Sequence, residues 1–254
     1  MLTKNEIKNI LNDIGLKKND TIMIHSSLKA IGKIEGNAEG LIDTLKKYFT
    51  DGLVIFPTHT WATIKEDDMV FDCDNTPSCV GMLTEIARKT DGFIRSMHPT
   101  HSVCAYGKNN KEYISLDDNA TTPVGPNNCF GALKNMNAKI LFLGAPLTKN
   151  TFIHSIEEEY DVPDRFTEHI YHFISKNNDT IKNYYMPRHF STKNAHLSEH
   201  YQKLLPKFLE LNIGNEFMFG NATSYIIDAK KAHEYVCSLL DNNLHIFDDY
   251  DEIK

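Results

Sequence analysis

Apolar positions along this chain fall into two kinds of run. Unbroken runs, Ile22-Met23-Ile24, Leu53-Val54-Ile55-Phe56 and Ile140-Leu141-Phe142-Leu143, predict strands buried on both faces. Spaced runs predict helices. Ile7, Ile10, Leu11 and Ile14 follow a Thr3/Glu6 capping box and end at Gly15, and Leu41, Ile42, Leu45 and Tyr48 follow Asn37. Val80, Leu83, Ile86 and Ala87 form a third set, with Ser78 placed to cap it. Strand, helix, strand in that order predicts a parallel βαβ unit. Residues 62–77 read as irregular, with Asp67, Asp68, Asp72 and Asp74 around Phe71. A strand is expected over 103–106, turns over 122–128 and a short helix over 129–136. Beyond Pro163 the pattern changes: 170–174 and 181–185 predict a hairpin turning near Asn177-Asn178-Asp179. A helix interrupted near Pro206 covers 197–211, an extended stretch 217–227 and a last helix 228–240. The expected fold is α/β, three layers (α/β/α) around a mixed, largely parallel central sheet with a smaller C-terminal lobe. Residues 1–254 form one domain in this reading, with 163–212 as the lobe added beside the site.

The stretch 139–158 carries the candidate chemistry. Its strand ends at Gly144, a polar loop follows at Thr148-Lys149-Asn150, and helical spacing resumes from Thr151. His154 therefore stands in a helix just past the end of a buried strand, where open α/β sheets place reactive groups. Glu157 lies three residues on, on the same helix face, and can hold the imidazole. A histidine so oriented is equipped to take a proton from a weakly acidic group. Glu158 and Glu159 read as a solvated face of the same helix.

Composition removes several function classes. With 41% hydrophobic and 24% charged residues the chain is an ordinary globular one. No apolar run nears the roughly 20 residues needed to span a bilayer, and the polar amphipathic start is no secretory signal. Five scattered cysteines without a C-x-x-C pair suit a reducing cytoplasm and argue against disulfides or structural zinc. A formal charge of −7 does not suggest a nucleic-acid partner. His98 and His101, with His25 and His59, invite a metal reading; the proline between the first two favours a turn, and no metal is expected.

Six segments in order resemble the aminoglycoside 3-N-acetyltransferase family. They are His25-Ser26-Ser27-Leu28 with Gly32, Pro57-Thr58-His59-Thr60-Trp61, and Phe71-Asp72 with Thr76-Pro77-Ser78 and Gly81. Arg95-Ser96-Met97-His98-Pro99 with Ser102, Leu141-Phe142-Leu143-Gly144, and Asn150 through Glu157 complete the set. The chain departs from that pattern at Cys129-Phe130, where relatives usually carry Ser-Pro.

The resemblance implies transfer of an acetyl or other short acyl group from coenzyme A to a primary amine of an amino sugar. It makes His154 the general base and Glu157 its orienting group, with Thr60, Thr58 and nearby amides as donors to the thioester oxyanion. The loop Ser26, Ser27, Leu28, Lys29, Ala30, Ile31 would offer amides to the coenzyme's pyrophosphate, with Arg95 and Ser102 as further contacts. The histidines at 25, 59, 98 and 101 become backbone anchors near the coenzyme. The acceptor stays open between an aminoglycoside and a nucleotide-linked amino sugar. Five cations (Lys182, Arg188, Lys193, Lys203, Lys207) against one anion (Glu199), with His189, His196 and His200, suit an anionic acceptor, while Glu157, Glu158, Glu159, Asp161 and Asp164 suit a cationic one. A covalent enzyme with Cys129 as nucleophile and a non-catalytic coenzyme- or sugar-binding protein are the other readings, and a homo-oligomer is open.

Overall fold

Each unbroken apolar run becomes a strand of one seven-stranded sheet. The computed structural model describes residues 1–64, 69–193 and 197–253; Asp67, Asp68 and His196 lie outside them. In order come α1 (Lys4–Asp13), β1 (Thr21–Ser26), α2 (Leu28–Ile31), α3 (Asn37–Tyr48), β2 (Leu53–Pro57), β3 (Val70–Asp72) and α4 (Met82–Lys89). Next are β4 (Ile94–Arg95), β5 (Val103–Gly107), α5 (Asn110–Ile114), α6 (Cys129–Ala132), β6 (Lys139–Leu143) and α7 (Thr151–Glu159). The chain ends with β7 (Tyr171–Asn177), β8 (Thr180–Met186), a 3-10 helix (Leu197–Leu204), α8 (Leu205–Glu210), β9 (Gly214–Phe219), β10 (Ala222–Asp228) and α9 (Ala229–Asn242).

The sheet runs β4-β5-β2-β1-β6-β10-β9 and is mixed, as expected. Its parallel part is smaller than expected: only β2-β1-β6 are parallel, and the pairings outside them are antiparallel. The cause is connectivity, because β5 returns beside β4 and β10 beside β9 without a crossover helix. The stretch expected to be extended over 217–227 is this second return, bent at Gly220, whose φ of +62° suits a residue without a Cβ.

Side chains alternate across the sheet into two cores. Met23, Ile55, Ile140, Phe142 and Ile227 face one core with α6, α7 and α9, whereas Ile22, Ile24, Val54, Leu141 and Leu143 face the other with α1, α3 and α4. Helices on both faces give the three layers.

Local chemistry explains the boundary shifts. The Thr3/Glu6 capping box starts α1 as expected, but α4 starts at Met82 behind Gly81. Ser78 instead reaches into that helix from outside: its amide donates to Glu85 Oε2 at 2.8 Å, and its hydroxyl pairs with Thr84 at 3.1 Å. Helix α6 spans Cys129–Ala132, short of the expected 136. The 197–211 helix is a 3-10 turn followed by α8, with Pro206 in the first turn, where a missing N–H breaks no helical bond. Within the irregular 62–77 stretch, β3 pairs parallel with β7, making a separate sheet β3-β7-β8 around Phe71, Phe173, Tyr184 and Met186. Among the described residues only that part of 163–212 has its own core, since Leu197, Tyr201, Leu204 and Phe208 belong to the main one.

Candidate active site

Strand β6 ends at Gly144, and a short loop carries the chain into α7. Gly144 has a φ of +63°, and a Cβ there would lie 2.9 Å from the Ala222 Cβ and 3.0 Å from the Ala30 Cβ. Only glycine lets β6, the α2 turn and the β9-β10 bend meet this closely.

On α7, His154 keeps 18% of its side chain exposed while Glu157 is 1% exposed. The Tyr201 hydroxyl from the 3-10 helix lies between them, 2.7 Å from His154 Nδ1 and donating to Glu157 Oε2. Because that proton points at the carboxylate, the tyrosine oxygen accepts from Nδ1–H. His154 Nδ1 also lies 3.3 Å from Glu157 Oε2. Glu157 Oε1 accepts from Arg165 Nε at 2.6 Å, so both carboxylate oxygens are fixed. This pattern selects the tautomer whose Nε2 carries the lone pair. Burial, then the neighbouring His189, lowers the His154 pKa despite the opposing pull of Glu157. This shift favours the neutral ring. Burial pushes the Glu157 carboxyl upward, but bonds from His154 and Tyr201 and the charge of Arg165 outweigh it, and the net shift is downward.

Four imidazoles form a row leading inward. Ring centroids of His154 and His189 are 4.5 Å apart, His189 and His101 5.0 Å, and His101 and His59 4.8 Å. Burial, reinforced by the other rings, lowers the pKa of His59 and His101 far below the usual value. His189 Nε2 contacts Glu158 Oε1 at 2.9 Å, and that oxygen also accepts the Val124 amide at 2.9 Å. Glu158 is thus buried, against the expectation of a solvated face; Glu159 is exposed and pairs with Lys134 and His233. His98 anchors backbone: its Nδ1 accepts the amides of Thr100 and His101, and its Nε2 meets Thr122 O at 3.1 Å. His25 is buried, stacks on Phe142 at 5.0 Å, and burial lowers its pKa to about 3. Among the described residues no group of three or more His, Cys, Asp or Glu side chains is arranged to hold a metal.

Ser26 closes β1, and Ser27, Leu28, Lys29, Ala30 and Ile31 make the single turn α2 behind it. Ser27 ties this turn to β6 by donating its amide to Leu143 O at 2.9 Å, while its hydroxyl accepts the Ala30 amide at 3.4 Å. The amides of Leu28 and Lys29 open the turn and have no helical carbonyl to receive them. Thr58, Arg95 and Ser102 do come together, but facing inward. Arg95 Nε donates to Thr58 Oγ1 and Ser102 Oγ, Nη1 to Cys73 O and Thr76 O, and Nη2 to Thr58 O, with the guanidinium 4.7 Å over the Phe71 ring. Burial lowers its pKa to about 10. The Thr60 hydroxyl donates to Pro99 O and its amide to Thr100 O, so both donors are engaged by backbone carbonyls.

Cys129 is fully buried and donates Sγ–H to Tyr113 O at 3.2 Å. Burial, then Asp117, holds its pKa well above the ordinary thiol value, opposite to what a nucleophile needs. In the basic 182–207 segment most cations are already paired: Lys182 with Asp118, Lys193 with Asp248, Lys203 with Asp249 and Lys207 with Glu210. Arg188 lies over the rings of Tyr171 and Phe173. Beside Glu158 is a cleft of about 290 Å³, lined by Thr121, Asn127, Asp161 and Phe166 among others. Tyr201 and Arg165 escape a reading of the sequence, since neither belongs to a motif, and His189 is legible only as part of the basic 182–207 segment.

The fold and site define a three-layer α/β protein with a carboxylate-anchored histidine on the helix that follows the parallel strand β6. The chain belongs to the aminoglycoside 3-N-acetyltransferase family, whose profile matches residues 23–241. The SPbeta prophage-derived aminoglycoside N(3')-acetyltransferase-like protein YokD of Bacillus subtilis (strain 168) is 28% identical over 182 residues, which cover 63% of this chain. The chain spans 66% of the length of that curated relative. The crystal structure of aminoglycoside acetyltransferase AAC(3)-Xa superposes with a TM-score of 0.83 at 24% identity, covering 96% of this chain and 94% of that one. AAC-IIIb, solved as a binary complex with CoASH, superposes with a TM-score of 0.79 at 21% identity, covering 94% of this chain and 96% of that one. No helix among the described residues is long and apolar enough to cross a membrane.

Proposed function

We propose that this chain is an acetyl-coenzyme A-dependent N-acetyltransferase acting on a primary amine of an aminoglycoside, with His154 as general base in direct transfer. The observation that carries this reading is the anchored His154 Nδ1, held by Tyr201 and Glu157 while 18% of the side chain stays exposed. The acceptor nitrogen attacks the thioester carbonyl carbon, and His154 Nε2 takes the proton that nitrogen sheds. As the C–S bond breaks, the departing sulfur receives that proton, restoring the neutral ring. General-base assistance of this kind contributes about 10² to 10⁴ in rate. Family membership and the CoASH complex of AAC-IIIb support coenzyme A as donor. The free amides of Leu28 and Lys29 suit its pyrophosphate, with Ser26, Ser27, Ala30 and Ile31 shaping the turn. Thr58, Arg95 and Ser102 brace one another at the end of β2 and have a structural part in this reading, and Thr60 fixes the Pro99 loop.

Charge favours the aminoglycoside over a nucleotide-linked sugar. The lobe's four lysines pair with carboxylates and Arg188 lies over Tyr171 and Phe173, whereas Glu158 and Asp161 line the cleft and attract a polycation. The five free cysteines fit a cytoplasmic location. The test is thiol release from acetyl-coenzyme A with kanamycin-type aminoglycosides and with an aminodeoxy sugar nucleotide. Turnover of the antibiotics is expected; turnover of the sugar nucleotide alone would overturn the acceptor assignment. Binding of both substrates without any thiol release would overturn catalysis itself.

A further inference from the structure

The last stretch of the chain stands directly behind the base. Beyond α9, residues 243–250 fold back onto the 3-10 helix that carries Tyr201, with Phe247, Asp249 and Tyr250 touching its side chains. Phe247 is fully buried and meets the Tyr201 ring edge-on, with centroids 5.2 Å apart, while its carbonyl accepts from His200 Nδ1 at 2.6 Å. Next to it, Asp248 Oδ1 accepts from Arg165 Nη2 at 2.9 Å. Its Oδ2 lies 2.6 Å from Lys193 Nζ and 2.9 Å from His245 Nδ1. Arg165 in turn donates to Glu157, and Glu157 accepts from the tyrosine that holds His154. One connected line of polar contacts thus runs from the imidazole to the C-terminal segment.

We propose that residues 243–250 are a positioning element for the general base, with Asp248 fixing Arg165 and Phe247 fixing Tyr201. The inference rests on the reading of His154 as that base. Arg165 is the hinge of the argument. Among the described residues its Nη1 reaches only the carbonyls of Pro163 and Asp164, and Asp248 supplies its second carboxylate. Signs along the line alternate: imidazolium when formed, Glu157, Arg165, Asp248. Neutralising Asp248 leaves Arg165 undercompensated, which raises the positive potential at His154 and disfavours the imidazolium. A clasp that merely held the fold together would change how much protein is folded, not the proton affinity of the ring.

Among the described residues the groups facing His154 are Glu157, Glu158, Tyr201 and His189, with His59 and His101 behind. Those facing Asp248 are Arg165, Lys193 and His245. The experiment measures kcat, KM for acetyl-coenzyme A, the pH profile of kcat and the melting temperature for Asp248→Asn and Asp248→Glu in the full chain. Asp248→Asn is expected to lower kcat about tenfold, leave that KM unchanged within about twofold, and move the acid limb to lower pH, with Asp248→Glu recovering most of the loss. An unchanged kcat and limb in Asp248→Asn, while His154→Ala is inactive, would overturn the proposal and leave the base assignment standing. A fall in kcat with an unmoved limb and a matching loss of melting temperature would overturn it too, in favour of a structural clasp. If Asp248→Asn does not fold, Tyr201→Phe reads the same line one link nearer, and wild-type kcat and pH dependence there would be equally fatal. Full activity in His154→Ala would remove the base reading, and this inference with it.

Discussion

At His154, what matters is which nitrogen is occupied. Nδ1 is held by Tyr201 and Glu157, and burial keeps the ring neutral, so His154→Ala is expected to cost at least about a hundredfold in kcat with little change in KM for acetyl-coenzyme A. Steady-state kinetics across the two variants separates this from the covalent alternative. Cys129→Ser should retain kcat within about twofold, because a buried thiol bonded to a backbone carbonyl has no nucleophilic part to lose. His154 and Glu157 were legible in the sequence because three residues on a helix is a local spacing. Tyr201 and Arg165 were not. Their meeting with Glu157 depends on how the 3-10 helix and the loop after α7 pack, and no short-range pattern encodes that. Arg95 teaches the reverse lesson: its position in a motif suggested a ligand contact, but its donors are turned to Thr58, Ser102, Cys73 and Thr76.

Among the elements, the central strands were readable because burial on both faces leaves an unbroken apolar run, and the flanking strands over 103–106 and 217–227 were also legible. Their antiparallel pairing was not, because an apolar run carries no strand direction. Where β6, the α2 turn and the β9-β10 bend converge, Gly144 fixes their spacing. Gly144→Ala places a methyl inside the contact distance of Ala222 and Ala30 at a positive φ. A loss of about 1–3 kcal/mol in stability is expected from denaturant unfolding. Because the turn at Leu28 and Lys29 moves with it, KM for acetyl-coenzyme A should rise while KM for the aminoglycoside does not. An unchanged coenzyme KM would separate that turn from donor binding. Boundaries were the weakest part of the sequence reading. Ser78 looked like a cap, yet it bonds Thr84 and Glu85 from outside the helix, a choice made by where the preceding loop lies.

Taken whole, the molecule buries an unusual set of neutral imidazoles. His25, His59, His98, His101 and His154 all have pKa values lowered by burial first of all. Unfolded histidines protonate near 6.5, so below that pH the unfolded chain binds more protons than the native one and stability falls as pH falls. Each such histidine contributes about 1.4 kcal/mol per pH unit until its own native pKa is reached. Carboxylates held low, such as Glu85 and Asp248 at about 2, add their loss only further into acid. Calorimetry from pH 7.5 to 5 should therefore show the melting temperature dropping as soon as pH passes below about 6.5. His25→Phe, which keeps a ring against Phe142, should flatten that slope by one proton; an unaltered slope would mean His25 is charged in the native state. The small β3-β7-β8 sheet has a consequence for engineering. Arg95 grips Cys73 O and Thr76 O, and the Cys73 amide grips Lys176 O, so the hairpin is riveted to the central sheet through the β3 loop. A specificity graft that swaps the hairpin alone would sever that rivet; the portable cassette is the β3 loop and the hairpin together.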